Sequence, residues 1–167
     1  SDISVWKTKD IEEHHFLRRI GPDILNPNLE WRLVAARLQS KTFSGRALNS
    51  VYLDQAFLAG LGNYLRSEIL FVAGINPMTK ARDLTKGQVG KLARTTIEIS
   101  RRSYVTGGVT IPKRQHKALK QLGLTHGKAR FFVFGRANQP CRICQGKIQR
   151  STANSRRNYT SSSCQSI

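Results

Sequence analysis

Apolar residues recur along this chain mainly at helical intervals. In residues 29–38, Trp31, Val34 and Leu38 fall on one face with Leu33 beside them, which predicts a helix. The preceding break, Asn26-Pro27, leaves Asn28 as a candidate cap. Ile11, Phe16 and Leu17 suggest a short helix or turn from Thr8 to Ile20, ended by Gly21-Pro22. Residues 41–50 read as a polar connection. Val51–Phe71 is apolar enough for helix, but Gly60 and Gly62 interrupt it, and each costs about 1 kcal/mol relative to alanine inside a helix. The expectation is helix, tight turn, helix, with Asn63 near the start of the second helix and Gly74 and Pro77 beyond its end. Thr85 and Gln88 then form a capping-box pattern, and Val89, Leu92, Ala93, Thr96 and Ile97 carry an amphipathic helix to about Ile99. Further on, residues 113–122 predict a short basic helix and residues 130–134 a strand. From Pro140 onward the pattern is short strands and turns around cysteines. Residues 1–7 read as the end of a strand.

Charge sharpens this picture. The 167 residues carry 28 Lys+Arg against 10 Asp+Glu, a formal net charge of +18. Glu98 is the last acidic residue, so residues 99–167 hold 14 basic residues and no acidic one. A solvated surface mixes both signs, whereas a one-sign tract is suited to a polyanion. Tyr104, Phe131, Phe132, Phe134 and Tyr159 interleave with the charges, which argues against a plain solubility tail. No long amphipathic helix carries them, which argues against a membrane surface. Nucleic acid is the expected partner. No apolar run is long enough for a transmembrane helix. Three cysteines do not make a disulfide framework.

The turn Gly60-Leu61-Gly62-Asn63 has a chemical reading. Glycine lets a ligand approach the backbone, and a helix starting at Asn63 presents unpaired N–H groups and the positive end of its dipole. That combination suits a phosphate, with the Asn63 amide as a further donor. A plain corner between two helices, with Asn63 as an ordinary cap, is the competing reading.

The stretch Leu53-Asp54-Gln55-Ala56-Phe57-Leu58-Ala59-Gly60-Leu61-Gly62-Asn63-Tyr64-Leu65-Arg66-Ser67-Glu68-Ile69-Leu70 resembles the helix–two-turn–helix signature of the formamidopyrimidine-DNA glycosylase/endonuclease VIII family. Phe16–Asp23 resembles the approach to that domain. Gly135-Arg136 and Pro140-Cys141-Arg142-Ile143-Cys144 resemble the approach to its zinc finger. The wording is closer to the bacterial endonuclease VIII branch, because the formamidopyrimidine branch often has lysine where Ala56 stands. The resemblance covers nearly the whole chain and is weakest at 105–128.

The resemblance implies a mainly α fold with a small β part: a helix–two-turn–helix domain over 8–128, then a zinc-ribbon-like β-hairpin finger over 129–167, with 1–7 as the remnant of a preceding strand or linker. It implies DNA contacts from Gly60, Gly62 and Asn63, and from Arg156 as the hairpin-tip arginine. Arg156 could instead be one more surface arginine. The family's zinc pattern is Cys-x2-Cys-x16-Cys-x2-Cys; this chain has Cys141, Cys144 and Cys164, with Ser161 where the third cysteine is expected. Zinc normally takes four thiolate or imidazole ligands. Three alternatives stay open: zinc on three thiolates plus water or a histidine (His116 or His126), a metal-free hairpin, or a degraded, partly disordered finger.

The family removes oxidised bases, pyrimidines in the endonuclease VIII branch, and cleaves the abasic site with an N-terminal proline amine and a glutamate. Ser1-Asp2 is no such start. The chain therefore resembles the C-terminal half of such an enzyme, expected to bind duplex DNA, above all at abasic or oxidised sites, without excising a base alone. A separate catalytic half, a monomeric state and a cytoplasmic, nucleoid-associated location in bacteria complete the expectation. The glutamate and histidine pairs at 12–15 are expected to face solvent, and Asp54 and Glu68 to position helices or caps. A basic RNA-binding or ribosome-associated zinc-ribbon protein, or one half of a two-chain glycosylase, are the rival readings.

Overall fold

The computed structural model describes Val5, Lys7, Thr8, His14, residues 17–153 and residues 155–165. The expected strand remnant at 1–7 falls mostly outside these residues, as does most of the expected helix or turn at 8–20, of which Leu17–Arg19 forms a single 3₁₀ turn. Among the described residues there are six α-helices and one two-stranded antiparallel sheet. They run α1 (Trp31–Gln39), α2 (Leu48–Val51), α3 (Asn63–Ala73), α4 (Lys86–Val105), α5 (Lys113–Gln121), α6 (His126–Ala129), β1 (Gln149–Ala153) and β2 (Arg156–Thr160). None of these helices is long and apolar enough to cross a membrane.

Two apolar clusters organise the chain. In the first, α4 packs on α1 and α3, burying Val34, Leu38, Ile69, Leu70, Leu92 and Ile99 completely. Each such side chain contributes about 1.5–3 kcal/mol. Helix α3 is buried from Leu65 through Phe71, because its other side faces the second cluster. There Phe71, Val109, Ile111, Phe132, Val133, Ile148 and Tyr159 join α3 to the finger.

The helices deviate from the sequence expectation in instructive ways. Helix α1 starts at Trp31, and its N-cap is Glu30, not Asn28; the Asn28 N–H instead donates to Asn26 Oδ1. The predicted capping box holds: Thr85 accepts from the Gln88 N–H, and Gln88 returns the bond to the Thr85 N–H. Helix α4 runs past Ile99 to Val105. Its last turns expose Arg101, Tyr104 and Val105 but bury Ser100 and Ser103, and Ser103 hydrogen-bonds Tyr64 at 3.0 Å.

The largest deviation precedes Asn63. Only Leu48–Val51 is helical, partly within the expected polar connection, and residues 54–59 form successive turns. Their backbone groups are taken by side chains and a neighbouring segment. Asp54 Oδ1 accepts from the Ala56 N–H at 2.9 Å, and Arg37 donates to the carbonyls of Ala56 and Phe57. The Gly21 N–H donates to the Gln55 carbonyl, and the Ile24 N–H to that of Ala59. With these groups partnered, a helix ladder through the same residues is excluded.

Gly21 is locked against this turn. A Cβ there would lie 2.6 Å from the carbonyl oxygens of both Ala56 and Phe57. Gly21→Ala should therefore destabilise the fold by about 2–3 kcal/mol, as overpacking against backbone does. A chemical-denaturation midpoint unchanged from the parent would contradict the close approach.

Candidate nucleic-acid interface and metal centre

Gly60 and Gly62 play different parts in the turn before α3. Gly60 has φ +90°, a conformation that favours glycine, and a Cβ would lie 3.1 Å from Ile24 Cγ2. Gln55 clamps it: Oε1 accepts from the Gly60 N–H and Nε2 donates to the Leu61 carbonyl, both at 2.9 Å. Gly62 is the N-cap of α3 in ordinary extended geometry, and a Cβ there would meet nothing within 4 Å. The first turn of α3 therefore has no capping side chain and opens beside unoccupied space. That is the geometry in which helix N–H groups receive an anion.

Asn63 is not an ordinary cap. Its Nδ2 donates to the Arg157 carbonyl at 3.2 Å, across 94 residues of sequence, while its Oδ1 is buried without a hydrogen-bond partner. One turn later, Arg66 donates to the same carbonyl at 2.8 Å and to that of Asn49. Arg66 is 1% exposed. Burial, then the nearby Arg156 guanidinium, lowers its pKa to about 10. The start of α3 and strand β2 are thus one unit.

The hairpin is tight. Ala153 pairs with Arg156, and Ser155 adopts φ +60°. Arg156 is the first residue of β2, beside the tip and exposed. The tract Ser155–Tyr159 does form hairpin, as expected. Asn63 and Arg66 therefore meet the Arg157 backbone where α3 begins, with the exposed Arg156 next in sequence.

The finger is seated by Glu68. Its carboxylate is fully buried and accepts from the N–H groups of Phe132, Val133 and Phe134 at 2.7–2.9 Å and from Thr110 Oγ1 at 2.5 Å. The carbonyls of the same segment go to arginines: Arg142 donates to Phe131 and Arg136 to Phe132. The predicted strand at 130–134 therefore does not form; side chains use the backbone groups a ladder would need. Burial pushes the Glu68 carboxyl upward, against the lowering effect of those donors. Positioning, as expected for Glu68, is what it does.

The sulfurs of Cys141, Cys144 and Cys164 lie within 4.8 Å of one another. Cys141 Sγ and Cys164 Sγ are 3.9 Å apart, and Ser161 Oγ stands 3.3 Å from Cys144 Sγ. Hydrogen bonding with Ser161 brings the Cys144 thiol down to about 7, whereas burial pushes Cys164 up to about 11. Three convergent thiols with a hydroxyl beside them fit a tetrahedral thiophilic ion, and these residues could hold one. His116 and His126 do not join them: their rings meet edge to face, with centroids 5.5 Å apart, in the α5–α6 region, and among the described residues the convergent ligand group contains cysteines alone.

Sequence reasoning did not single out Arg66, Gln165 or the Glu68 backbone cradle. Arg66 carried a signal, since it is an arginine one turn after Asn63 among Leu65, Ile69 and Leu70. Gln165 had none; it bridges the Ser161 N–H and the Ile75 carbonyl.

Comparison with known proteins follows the same outline. The formamidopyrimidine-DNA glycosylase H2TH domain matches residues 20–115. The Endonuclease 8 proteins of Escherichia coli O9:H4 and Shigella sonnei are each 42% identical over 165 residues, covering 99% of this chain and 59% of theirs. The MutM (Fpg) protein from Thermus thermophilus matches with a TM-score of 0.75 at 29% identity, over 94% of this chain and 57% of that one. The Lactococcus lactis Fpg in complex with DNA containing an abasic site shares the fold, with a TM-score of 0.73 at 22% identity over 96% and 56%. The chain spans about 59% of the length of the Endonuclease 8 relatives. Matched over residues 20–115 by the H2TH domain and along nearly all its length by Endonuclease 8, the chain belongs to the formamidopyrimidine-DNA glycosylase/endonuclease VIII family.

Proposed function

We propose that this chain is the DNA-binding part of a base-excision-repair glycosylase/AP lyase acting on oxidised bases, pyrimidines foremost. Residues 8–128 act as the helix–two-turn–helix domain and residues 129–167 as the finger. The observation that carries this reading is the Arg157 carbonyl held by both Asn63 and Arg66, which sets Arg156 beside the uncapped start of α3. Base extrusion costs a few kcal/mol and leaves two distorted flanking phosphates. A helix N-terminus with an amide can grip one, and a planar guanidinium the other. Gly62 leaves room for that phosphate, and Gly60 shapes the turn.

In this reading Cys141, Cys144 and Cys164 hold zinc. The ion would clip the two turns at the base of the hairpin and supply no chemistry to the DNA. The chain acts as a monomer in the bacterial cytoplasm, at the nucleoid, and base removal belongs to a separate catalytic half.

The test is binding to matched duplexes with and without a tetrahydrofuran abasic analogue, at two salt concentrations. Affinity for both should fall with salt, with a log–log slope of about −5 or steeper for a surface this basic. The preference for the abasic duplex should survive. Equal binding that collapses with salt would leave only a polycation. Borohydride trapping on an abasic duplex should yield no adduct with this chain alone; an adduct would place the lyase nucleophile within it. Competition with structured RNA separates this reading from an RNA-binding one, which the Endonuclease 8 relationship disfavours.

A further inference from the structure

We infer that Ser161 Oγ is the fourth ligand of the finger's metal centre, and that this oxygen makes the bound ion readily releasable where a fourth cysteine would hold it fast. The inference rests on the reading that the three cysteines hold zinc.

Geometry carries it. In a tetrahedral centre with Zn–S about 2.3 Å and Zn–O about 2.0–2.2 Å, neighbouring sulfurs lie about 3.8 Å apart and a sulfur and an oxygen about 3.5 Å apart. Cys141 and Cys164 Sγ stand at 3.9 Å, and Cys144 Sγ and Ser161 Oγ at 3.3 Å. The hydroxyl therefore stands beside the three sulfurs at a spacing close to that of a fourth ligand. Ser161 is also fixed there. It is 1% exposed, its N–H donates to Gln165 Oε1, and its carbonyl accepts from the N–H groups of Cys164 and Gln165. Gln165 is anchored in turn on the Ile75 carbonyl at 3.0 Å. Neighbouring Ser162 and Ser163 are exposed.

Chemistry sets the consequence. Loading Zn²⁺ releases three thiol protons, and Ser161 binds through its neutral oxygen. The centre then carries a net charge of −1, where four thiolates would give −2. A neutral hydroxyl is the weakest donor of the set, so the fourth bond is the one that opens. Structural zinc sites are closed by four strong ligands, whereas sites with three exchange the fourth. Metal affinity here is also folding free energy of the finger, since the ligands come from both ends of the hairpin.

The experiment loads the full chain with Co²⁺ or Zn²⁺ in the parent, S161A, S161C and S163A. Co²⁺ should give tetrahedral d–d bands with thiolate charge transfer in the parent. S161C should shift the d–d bands to lower energy, as a fourth thiolate does, and should tighten zinc against a competing chelator by about tenfold or more. S161A should change the d–d envelope and release zinc faster. S163A should match the parent. Identical cobalt spectra and zinc off-rates in the parent and S161A would overturn the assignment, as would a shift in S163A alone. If no variant, S161C included, takes up either metal, the underlying zinc reading fails instead, and the inference falls with it. These are metal readouts, so the result is independent of DNA binding.

Discussion

Replacing Glu68 with alanine should cost about 4 kcal/mol or more of stability and should release the finger from the helices. The carboxylate receives three consecutive backbone N–H groups and the Thr110 hydroxyl in a fully buried position. Each buried donor left without an acceptor costs about 1–3 kcal/mol. Thr110 retains a second acceptor in the Arg130 carbonyl, so the three amides of Phe132, Val133 and Phe134 carry most of the loss. Glu68→Gln keeps one acceptor oxygen and turns an amide NH₂ toward donors, and should fall between the two. The measurements are denaturant midpoint and amide hydrogen exchange. Exchange should accelerate first at 132–134, while the interior of α4 keeps its protection. A Glu68→Ala protein with the parent's midpoint would show that the cradle is not a tie between the two clusters.

The second large effect is on lesion recognition. Asn63→Ala with Arg156→Ala should lower affinity for a tetrahydrofuran-containing duplex by about 10- to 100-fold. That corresponds to about 1.4–2.8 kcal/mol, within the range of one or two hydrogen bonds to charged groups. Affinity for undamaged duplex should fall far less, so the preference is what disappears. A control such as Lys117→Ala, on exposed α5, should weaken both duplexes alike and reduce the salt slope by about one. Asn63 also holds the Arg157 carbonyl, so part of its effect could come through a loosened hairpin. Thermal unfolding separates the two: Arg156 makes no such tie, and Arg156→Ala should leave the midpoint within about 1 °C while reducing lesion preference. Intact preference in the double variant would show that these residues are not the clamp.

Arg66 explains why the two effects meet at one place. A guanidinium with 1% exposure and a pKa lowered to about 10 is costly to bury, and the structure spends that burial on the Arg157 carbonyl. Its neighbour Arg156 then projects from a strand whose position is set from α3.

Much of the fold is written in local pattern. The 3.6-residue spacing of Trp31, Val34 and Leu38 and the Thr85–Gln88 capping box required only neighbours in sequence, and both appear in the structure. The one-sign charge of residues 99–167 and the helix–two-turn–helix wording around Gly60–Asn63 already pointed to a polyanion and a family. Periodicity failed where backbone groups are satisfied from a distance. Residues 54–59 read as helix, yet their carbonyls belong to Arg37 and Gly21. Residues 130–134 read as strand, yet their amides belong to Glu68 and their carbonyls to Arg136 and Arg142. A side chain dozens of residues away leaves no periodic trace in the segment it captures. The same holds at the metal centre. Spacing placed Ser161 opposite three cysteines, but only the tertiary structure decided that its hydroxyl, and not His116 or His126, stands beside their sulfurs. Local sequence thus determined the helices whose partners are sequence neighbours, such as α1 and the start of α4, and the charge the chain carries. Long-range hydrogen bonding from side chains far away in sequence decided which other predicted elements form at all, and which residues meet.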